Sequence, residues 1–429
     1  MFRLIETTRN RLFLKAKYLI YQSIFGLIVF ILVAWIFSEN RRKFPVKLVL
    51  LGVGLQFLLA AILLNVPLFQ KIFILLNQGV LALEQSTQAG TSMVFGYLGG
   101  GTLPFVEPFA GSAYILAFRG LPMVLLISAL SSLLFYWRIL PRIVDGVSHL
   151  LQKTLGIGGA EGVGVAANIF VGMIEAPLLI RPYLRHISRS ELFTLMTCGM
   201  ATIAGTMMVL YATILSGIIP DIVGHILTAS LISAPAAIVI AKIMIPETEE
   251  KTKGRWEAES HSSSMDAIVH GTMQGIQLLI NIIAMIIVMV ALVHLCNMLL
   301  GLIPTANKPI SLQLIMGLIL APATWLMGIP WEEAHTAGEL FGTKTIINEF
   351  IAYLNMAQLP AGTLSARSLH IMSYALCGFA NPGSVGIMLG GLKAMAPERG
   401  QEIVALGFRS LLAGTLATSM TAAVASLLL

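Results

Sequence analysis

Two glutamates stand in stretches of this chain that otherwise suit the interior of a membrane. Glu175 is followed by Ala176-Pro177 inside residues 156–215. Apart from Glu161, Asn168 and the basic turn Arg181–Glu191, that stretch is glycine-rich or apolar. Glu349 follows Gly342-Thr343-Lys344-Thr345-Ile346-Ile347-Asn348 in a second such stretch. A charge at bilayer depth costs at least ~2.5 kcal/mol on insertion scales, so it usually faces a partner or a watery cavity. Proline frees backbone carbonyls that other groups must satisfy. A carboxylate beside a break therefore predicts a re-entrant hairpin that lines a polar site. A third interruption, Asn381-Pro382-Gly383-Ser384, adds an amide and a hydroxyl. Each feature also has a plainer reading: Glu349 paired with Lys344, Glu175 in a packing salt bridge, Asn381-Pro382 as a simple kink.

Other tempting motifs carry little. Gly156-Ile157-Gly158-Gly159-Ala160-Glu161-Gly162 resembles a dinucleotide loop, but no βαβ pattern surrounds it. No nucleophile–base pair stands out, so an enzyme is not expected. His335 near the second glutamate reads as a bland polar residue rather than a proton carrier. Cys198, Cys296 and Cys377 all lie in apolar surroundings and fit neither a metal spacing nor a disulfide framework.

These residues must be positioned by membrane helices. Of 429 residues, 57% are hydrophobic and 11% charged, and the mean hydropathy is +0.86. Soluble domains carry about 25% charged residues. The apolar runs are long and continuous, unlike the alternating segments of a barrel. The net charge of +6 belongs to basic loops and does not point to nucleic acid.

Spans are expected at Tyr18–Phe37, Pro45–Val66, Ser112–Trp137, Leu192–Leu215, Ile222–Ile245, Met265–Leu300, Leu369–Leu392 and Glu402–Leu428. No small-residue cleavage site follows the first of these. Pro67–Gln88 is amphipathic and suits the interface plane. Gly96–Pro108 reads as a loop. Ile310–Tyr353 reads as a second interrupted hairpin, broken at Pro322, Gly328, Pro330, Gly338 and Gly342. The expected class is an all-α polytopic protein of about eight transmembrane helices plus two re-entrant hairpins.

The chain divides into 1–95 (tail, first two helices, interfacial helix), 96–215 (third helix, first hairpin, discontinuous fourth helix), 216–305 (fifth and sixth helices with the charged loop) and 306–429 (second hairpin, discontinuous seventh helix, eighth helix). Interrupted segments in matching positions of two halves are the best sequence pointer to a transporter's midplane site. Residue-level similarity between the halves is weak. Positive charge in Arg41–Lys47, Arg138–Lys153, Arg181–Arg189, Lys242–Arg255 and Lys393–Arg399 places these loops in the cytoplasm and both termini outside. The basic tail Arg3–Lys17 argues the other way.

The motifs then become recognisable together. Asn168-Ile169-Phe170-Val171-Gly172 with Glu175-Ala176-Pro177, Met196-Thr197 with Gly199, Ala201-Thr202-Ile203-Ala204-Gly205, Gly342-Thr343-Lys344 with Asn348-Glu349-Phe350, and Ala375-Leu376-Cys377-Gly378-Phe379-Ala380-Asn381 follow in order. From about Gly96 to Leu429 the chain resembles the concentrative nucleoside transporters. The resemblance implies a homotrimer in a bacterial-type inner membrane that moves nucleosides inward with a cation by an elevator-like motion. It implies that the first hairpin and fourth helix hold the base, and that the second hairpin and seventh helix hold the ribose. Glu349, Asn381 and Ser384 then take the ribose hydroxyls. Glu175 lies at the first hairpin's tip. The cation falls to the Asn168 side chain, the Thr202 hydroxyl and the carbonyls of Thr197, Cys198 and Ala201. Oxygen ligands of this kind suit Na⁺. Proton coupling through Glu175 or Glu349, or a nucleoside sensor that does not transport, are the alternatives, and no cofactor is expected. Asn168 as a half-helix cap and Thr202 bonded to its own helix are the plainer readings there.

One departure stands out. The family usually has Gln-Thr before the first glutamate, and this chain has Met173-Ile174. The next base-facing position is Met207. None of the three can hydrogen-bond a base edge as an amide or hydroxyl does. A greasier, more adaptable base pocket is expected, with weak purine/pyrimidine discrimination.

Overall fold

The computed structural model describes residues 2–106, 113–173, 175–252, 262–303 and 310–429, and among them there is helix and no strand. Two apolar helices lead, α1 (Phe2–Ile36) and α2 (Val46–Asn65). The amphipathic α3 (Pro67–Phe95) starts with proline in its first turn, where the missing N–H has no partner to lose. It is one helix, longer than the sequence suggested. The expected third span is α4 (Leu116–Arg119) and α5 (Met123–Tyr136), separated by the turn containing Pro122. The sequence reading assigned no helix to 139–155. The structure has one there, α6 (Ile139–Leu155), strongly amphipathic and closed by Gly156 at φ +64°.

The first hairpin is α7 (Gly159–Asn168), a tip at 169–173 and the short α8 (Glu175–Leu178). The fourth span is split into α9 (Arg189–Ala201) and α10 (Gly205–Leu215). Ser188 and Glu191 start α9 as a reciprocal capping box: the Ser188 hydroxyl accepts from the Glu191 amide at 3.0 Å, and the Ser188 amide donates to the Glu191 carboxylate at 2.9 Å. α11 (Ile222–Met244) is buried almost throughout. α12 (Ser264–Leu300) is the reverse, apolar yet exposed along nearly its whole length. At 37 residues it reaches about 55 Å, more than the hydrocarbon core of a bilayer.

Beyond α12 the structure corrects the sequence reading. Pro322, Gly338 and Gly342 break nothing. α13 (Leu312–Leu326) and α14 (Trp331–Ile346) run through them, and the chain bends by 117° only at Met327–Pro330. A β-carbon on Gly338 would meet the Gly317 carbonyl oxygen at 2.7 Å, and one on Gly342 would meet Met316 at 2.3 Å. These glycines let two helices touch; they do not interrupt them. The break at the second carboxylate is Ile347-Asn348 alone, followed by α15 (Glu349–Ala357). Then come α16 (Ala366–Ala375), α17 (Pro382–Met395) and α18 (Gly400–Ser426).

The element order repeats. α5, α6, the pair α7/α8, the pair α9/α10 and α11 are matched by α12, α13, the pair α14/α15, the pair α16/α17 and α18. α11 and α18 run in opposite directions, and the hydroxyls of Ser233 and Thr421 meet between them at 3.0 Å. At the breaks the halves share a short pattern, Cys198-Gly199-Met200-Ala201 and Cys377-Gly378-Phe379-Ala380.

Two groups of charged side chains tie elements together away from the cavity. Glu39 pairs with Arg189 at 2.9 Å and with Arg409, Arg189 reaches Glu402 at 3.4 Å, and the Glu39 amide donates to the Met244 carbonyl. The hydrogen bond from Arg189 leads the causes that hold the Glu39 carboxyl below its ordinary value. In the second, Arg367 donates to the carbonyls of Gly328 at 2.7 Å and Ser426 at 2.6 Å. Cys198 and Cys377 are buried as expected, whereas Cys296 is exposed on the outer face of α12, and all three are free thiols.

Candidate transport site

The two hairpin tips and the two broken helices close around one cavity of about 630 Å³. Glu175 and Glu349 both line it. So do Met173, Met207, Asn381 and Ser384. Ile174, expected beside them, lies outside the described residues. The far wall is built by α5 and α12 with polar side chains, among them Ser128, Ser132, Gln274, Gln277 and Asn281.

The second-hairpin end is rigidly built. Glu349 opens α15, whose cap is Asn348, the side-chain oxygen accepting from the Ile351 amide at 2.9 Å. Asn381 caps α17 in the same way, accepting from the Ser384 amide at 2.8 Å. The other end of the Asn381 amide donates to Glu349 Oε2 at 3.1 Å. Tyr211 of α10 donates its hydroxyl to Glu349 Oε1 at 2.7 Å. One buried carboxylate on α15 is thus tied to α10 and to the start of α17, near the positive ends of two half-helices. Each oxygen retains acceptor capacity for a hydroxyl in the cavity. Lys344 is not its partner: among the described residues the lysine is bound instead to the Ala375 carbonyl and the Thr418 hydroxyl. The sequence reading did not find Tyr211. Its only signal was a lone phenol in an apolar run.

The first-hairpin end is softer. Glu175 is exposed to the cavity and folds back over the tip, where a β-carbon on Gly172 would lie 2.1 Å from its Oε2. Met173 and Met207 offer thioethers where a base-binding surface would want amides. The tip is fastened from behind: the Gly205 amide donates to the Phe170 carbonyl at 2.9 Å, and the Ser230 hydroxyl to the Ile169 carbonyl at 3.2 Å.

Behind that tip the end of α7 meets the last turn of α9. Asn168 donates from Nδ2 to the Gly164 carbonyl at 3.2 Å, but its Oδ1 is buried with no hydrogen-bond partner. The Thr197 hydroxyl is buried without a partner as well. Thr202 Oγ1 lies 3.1 Å from the Asn168 carbonyl and 2.9 Å from the Cys198 carbonyl. α9 ends at Ala201, so the carbonyls of Gly199, Met200 and Ala201 lack continuing helical amides, whereas the Cys198 carbonyl still accepts from the Thr202 amide at 3.0 Å. Buried oxygens without donors are what a hard monovalent cation requires. No cluster of His, Cys, Asp or Glu able to hold a metal occurs among the described residues. Thr202 bonds its own helix, as in the plainer reading, while the Asn168 Oδ1 is left without a donor.

Comparison with known proteins decides the lineage. The family model "Na+ dependent nucleoside transporter C-terminus" matches residues 225–426, its N-terminal counterpart matches 25–98, and a "Nucleoside recognition" model matches 117–217. The chain belongs to the concentrative nucleoside transporter family. Among its relatives, the nucleoside permease NupC of Helicobacter pylori is 34% identical over 94% of this chain and 97% of its own. The uncharacterized transporter YutK of Bacillus subtilis is 35% identical over 94% and 98%. Human solute carrier family 28 member 3 is 35% identical over 94% of this chain and 59% of its own. Solved structures of the transporter CNTnw superpose closely. Its inward-facing substrate-bound state gives a TM-score of 0.87 at 34% identity, covering 95% of this chain and 98% of that one. A double variant in an outward-facing state gives 0.87 at 33%, covering 95% and 97%. This nucleoside transporter is a multi-pass membrane protein, and its relatives are transporters and permeases, not enzymes.

Proposed function

We propose that this transporter imports nucleosides by symport with Na⁺, working as a homotrimer in a bacterial inner membrane with both termini on the outer face. The ribose sits against Glu349, Asn381 and Ser384, and the base against Met173, Ile174 and Met207 with Glu175 at the tip. Na⁺ is taken as co-substrate by Asn168, Thr202 and the last turn of α9, at Thr197, Cys198 and Ala201. The hairpins and broken helices move as one body past the wall formed by α5 and α12. The observation that carries the ribose assignment is the Glu349 carboxylate, held by Tyr211 and Asn381 on the floor of the shared cavity. A carboxylate fixed in this way accepts a cis-diol through charge-assisted bonds and disfavours ligands that lack the hydroxyls. The sodium assignment is supported by the partnerless oxygens of Asn168 and Thr197.

The test is uptake of labelled uridine and adenosine into proteoliposomes. Accumulation that stops when external Na⁺ is replaced by choline is expected. Uptake that follows a pH gradient instead would transfer the coupling to a proton, and saturable binding without accumulation would indicate a sensor. The apolar base end predicts that purine and pyrimidine nucleosides compete within about tenfold of one another, since apolar pockets discriminate weakly.

A further inference from the structure

The second hairpin contains a lysine that the transport reading leaves without a role. Lys344 is 0% exposed, and no carboxylate among the described residues is paired with it. Its ammonium donates to the Ala375 carbonyl at 2.6 Å and the Thr418 hydroxyl at 2.9 Å, and lies 5.1 Å from the centre of the Phe341 ring. Ala375 is the last residue of α16, so the ammonium sits at the negative end of a half-helix. A main-chain carbonyl at a helix break, a hydroxyl and an aromatic face are ligands suited to a buried monovalent cation.

The repeat shows what stands opposite. Ser233 and Thr421 face each other across the two halves, and the same offset carries Ser230 onto Thr418. Ser230 holds the Ile169 carbonyl, next to Asn168 at the end of α7; Thr418 holds Lys344, near the end of α14. In the first half this position presents the Asn168 Oδ1, buried without a donor. In the second half it contains the Lys344 Nζ, which donates to both the Ala375 carbonyl and the Thr418 hydroxyl. We infer that the Lys344 ammonium is the second half's fixed counterpart of the mobile cation, joining hairpin arm to broken helix where the first half uses an exchangeable ion. Lys344 is then a positioning residue. It fastens α14, whose end leads to Glu349, to the end of α16, beyond which Asn381 and Ser384 face the cavity. One half is assembled permanently and the other only when the ion is bound. Lys344 also denies the second half to a further Na⁺. This inference rests on the sodium-symport reading for its counterpart site.

The experiment compares Lys344→Ala, which opens the space, with Lys344→Met, which fills it with an uncharged chain. Each is purified, checked for a cooperative melt in detergent, and assayed for tritiated adenosine uptake against Na⁺ beside the parent. Lys344→Met is expected to lose at least about tenfold in uptake at every Na⁺ concentration, because hydrogen bonds to a charged group are lost. Lys344→Ala is expected to respond to Na⁺ with a Hill coefficient about one higher than the parent, or to regain uptake with millimolar methylammonium, while Lys344→Met does neither. Parental uptake and Na⁺ response in Lys344→Met would overturn the inference. So would a Lys344→Ala that melts cooperatively yet neither steepens nor responds to methylammonium. If neither lysine variant folds, Thr418→Val against Thr418→Ser decides: about a three- to tenfold rise in KM for the valine alone supports the fixed cation, and equal KM values refute it. Parent uptake driven by protons would defeat the sodium reading alone, because the contrast between Met and Ala under methylammonium is read on adenosine.

Discussion

The two ends of the cavity are made from the same parts and behave differently. At the second hairpin the carboxylate is locked: both Glu349 oxygens have a protein donor, and both donors come from other helices. At the first hairpin the carboxylate is exposed to the cavity, and the neighbouring surface is thioether and backbone. A preorganised acceptor binds hydroxyls without reorganising, whereas unbranched methionines repack around whatever shape arrives. The difference teaches that a rigid acceptor end and an adaptable apolar end can come from one repeated architecture, by changing which residues stand at the breaks.

The comparison can be broken first at its rigid end. Glu349→Gln keeps the shape but turns charge-assisted bonds into neutral ones, each worth about 1.5–3 kcal/mol when charged. Transport efficiency for adenosine should fall at least about a hundredfold. Unaltered uptake would make Glu349 scaffolding. Asn168→Ala comes next. Half-maximal Na⁺ should rise at least about tenfold while nucleoside affinity at saturating Na⁺ changes little. A defect confined to the nucleoside side would contradict the cation assignment. Tyr211→Phe removes one donor from Glu349 and should weaken ribonucleoside binding by about fivefold, read as KM, through one lost hydrogen bond of about 1 kcal/mol. The smallest effect is expected at the soft end. Met207→Gln should leave total affinity within about threefold while widening the spread between uridine and adenosine, because an amide can read a base edge and a thioether cannot. An unchanged competition panel would mean that Met207 does not face the base.

Much of this was visible in the residues. Glu175 and Glu349 announced themselves because charge is rare in apolar sequence, and Asn381-Pro382 because proline removes a donor and ends a helix. What stayed hidden was the partner of each group. Tyr211 looks like one more aromatic residue until the fold brings α10 against α15. Lys344 looked like the natural mate of Glu349, five residues on, yet the break between them turns the two side chains to different neighbours. Gly338 and Gly342 read as interruptions, since a glycine that loosens a helix and one that lets two helices touch are the same letter. The amphipathic α6 was lost among charged residues that resembled a loop.

The sequence by itself determined the solvent this chain folds in and the acids and amides that stand beside the breaks at Glu175, Glu349 and Asn381, because hydropathy and proline act locally. The tertiary structure alone decided which oxygens would be satisfied and which left bare. Glu349 gained Tyr211 and Asn381, Lys344 gained a helix end, and Asn168 and Thr197 kept oxygens without donors. Hydrogen bonds reach only about 3 Å, and residues 31, 32 and 138 positions apart come that close only when the chain has folded.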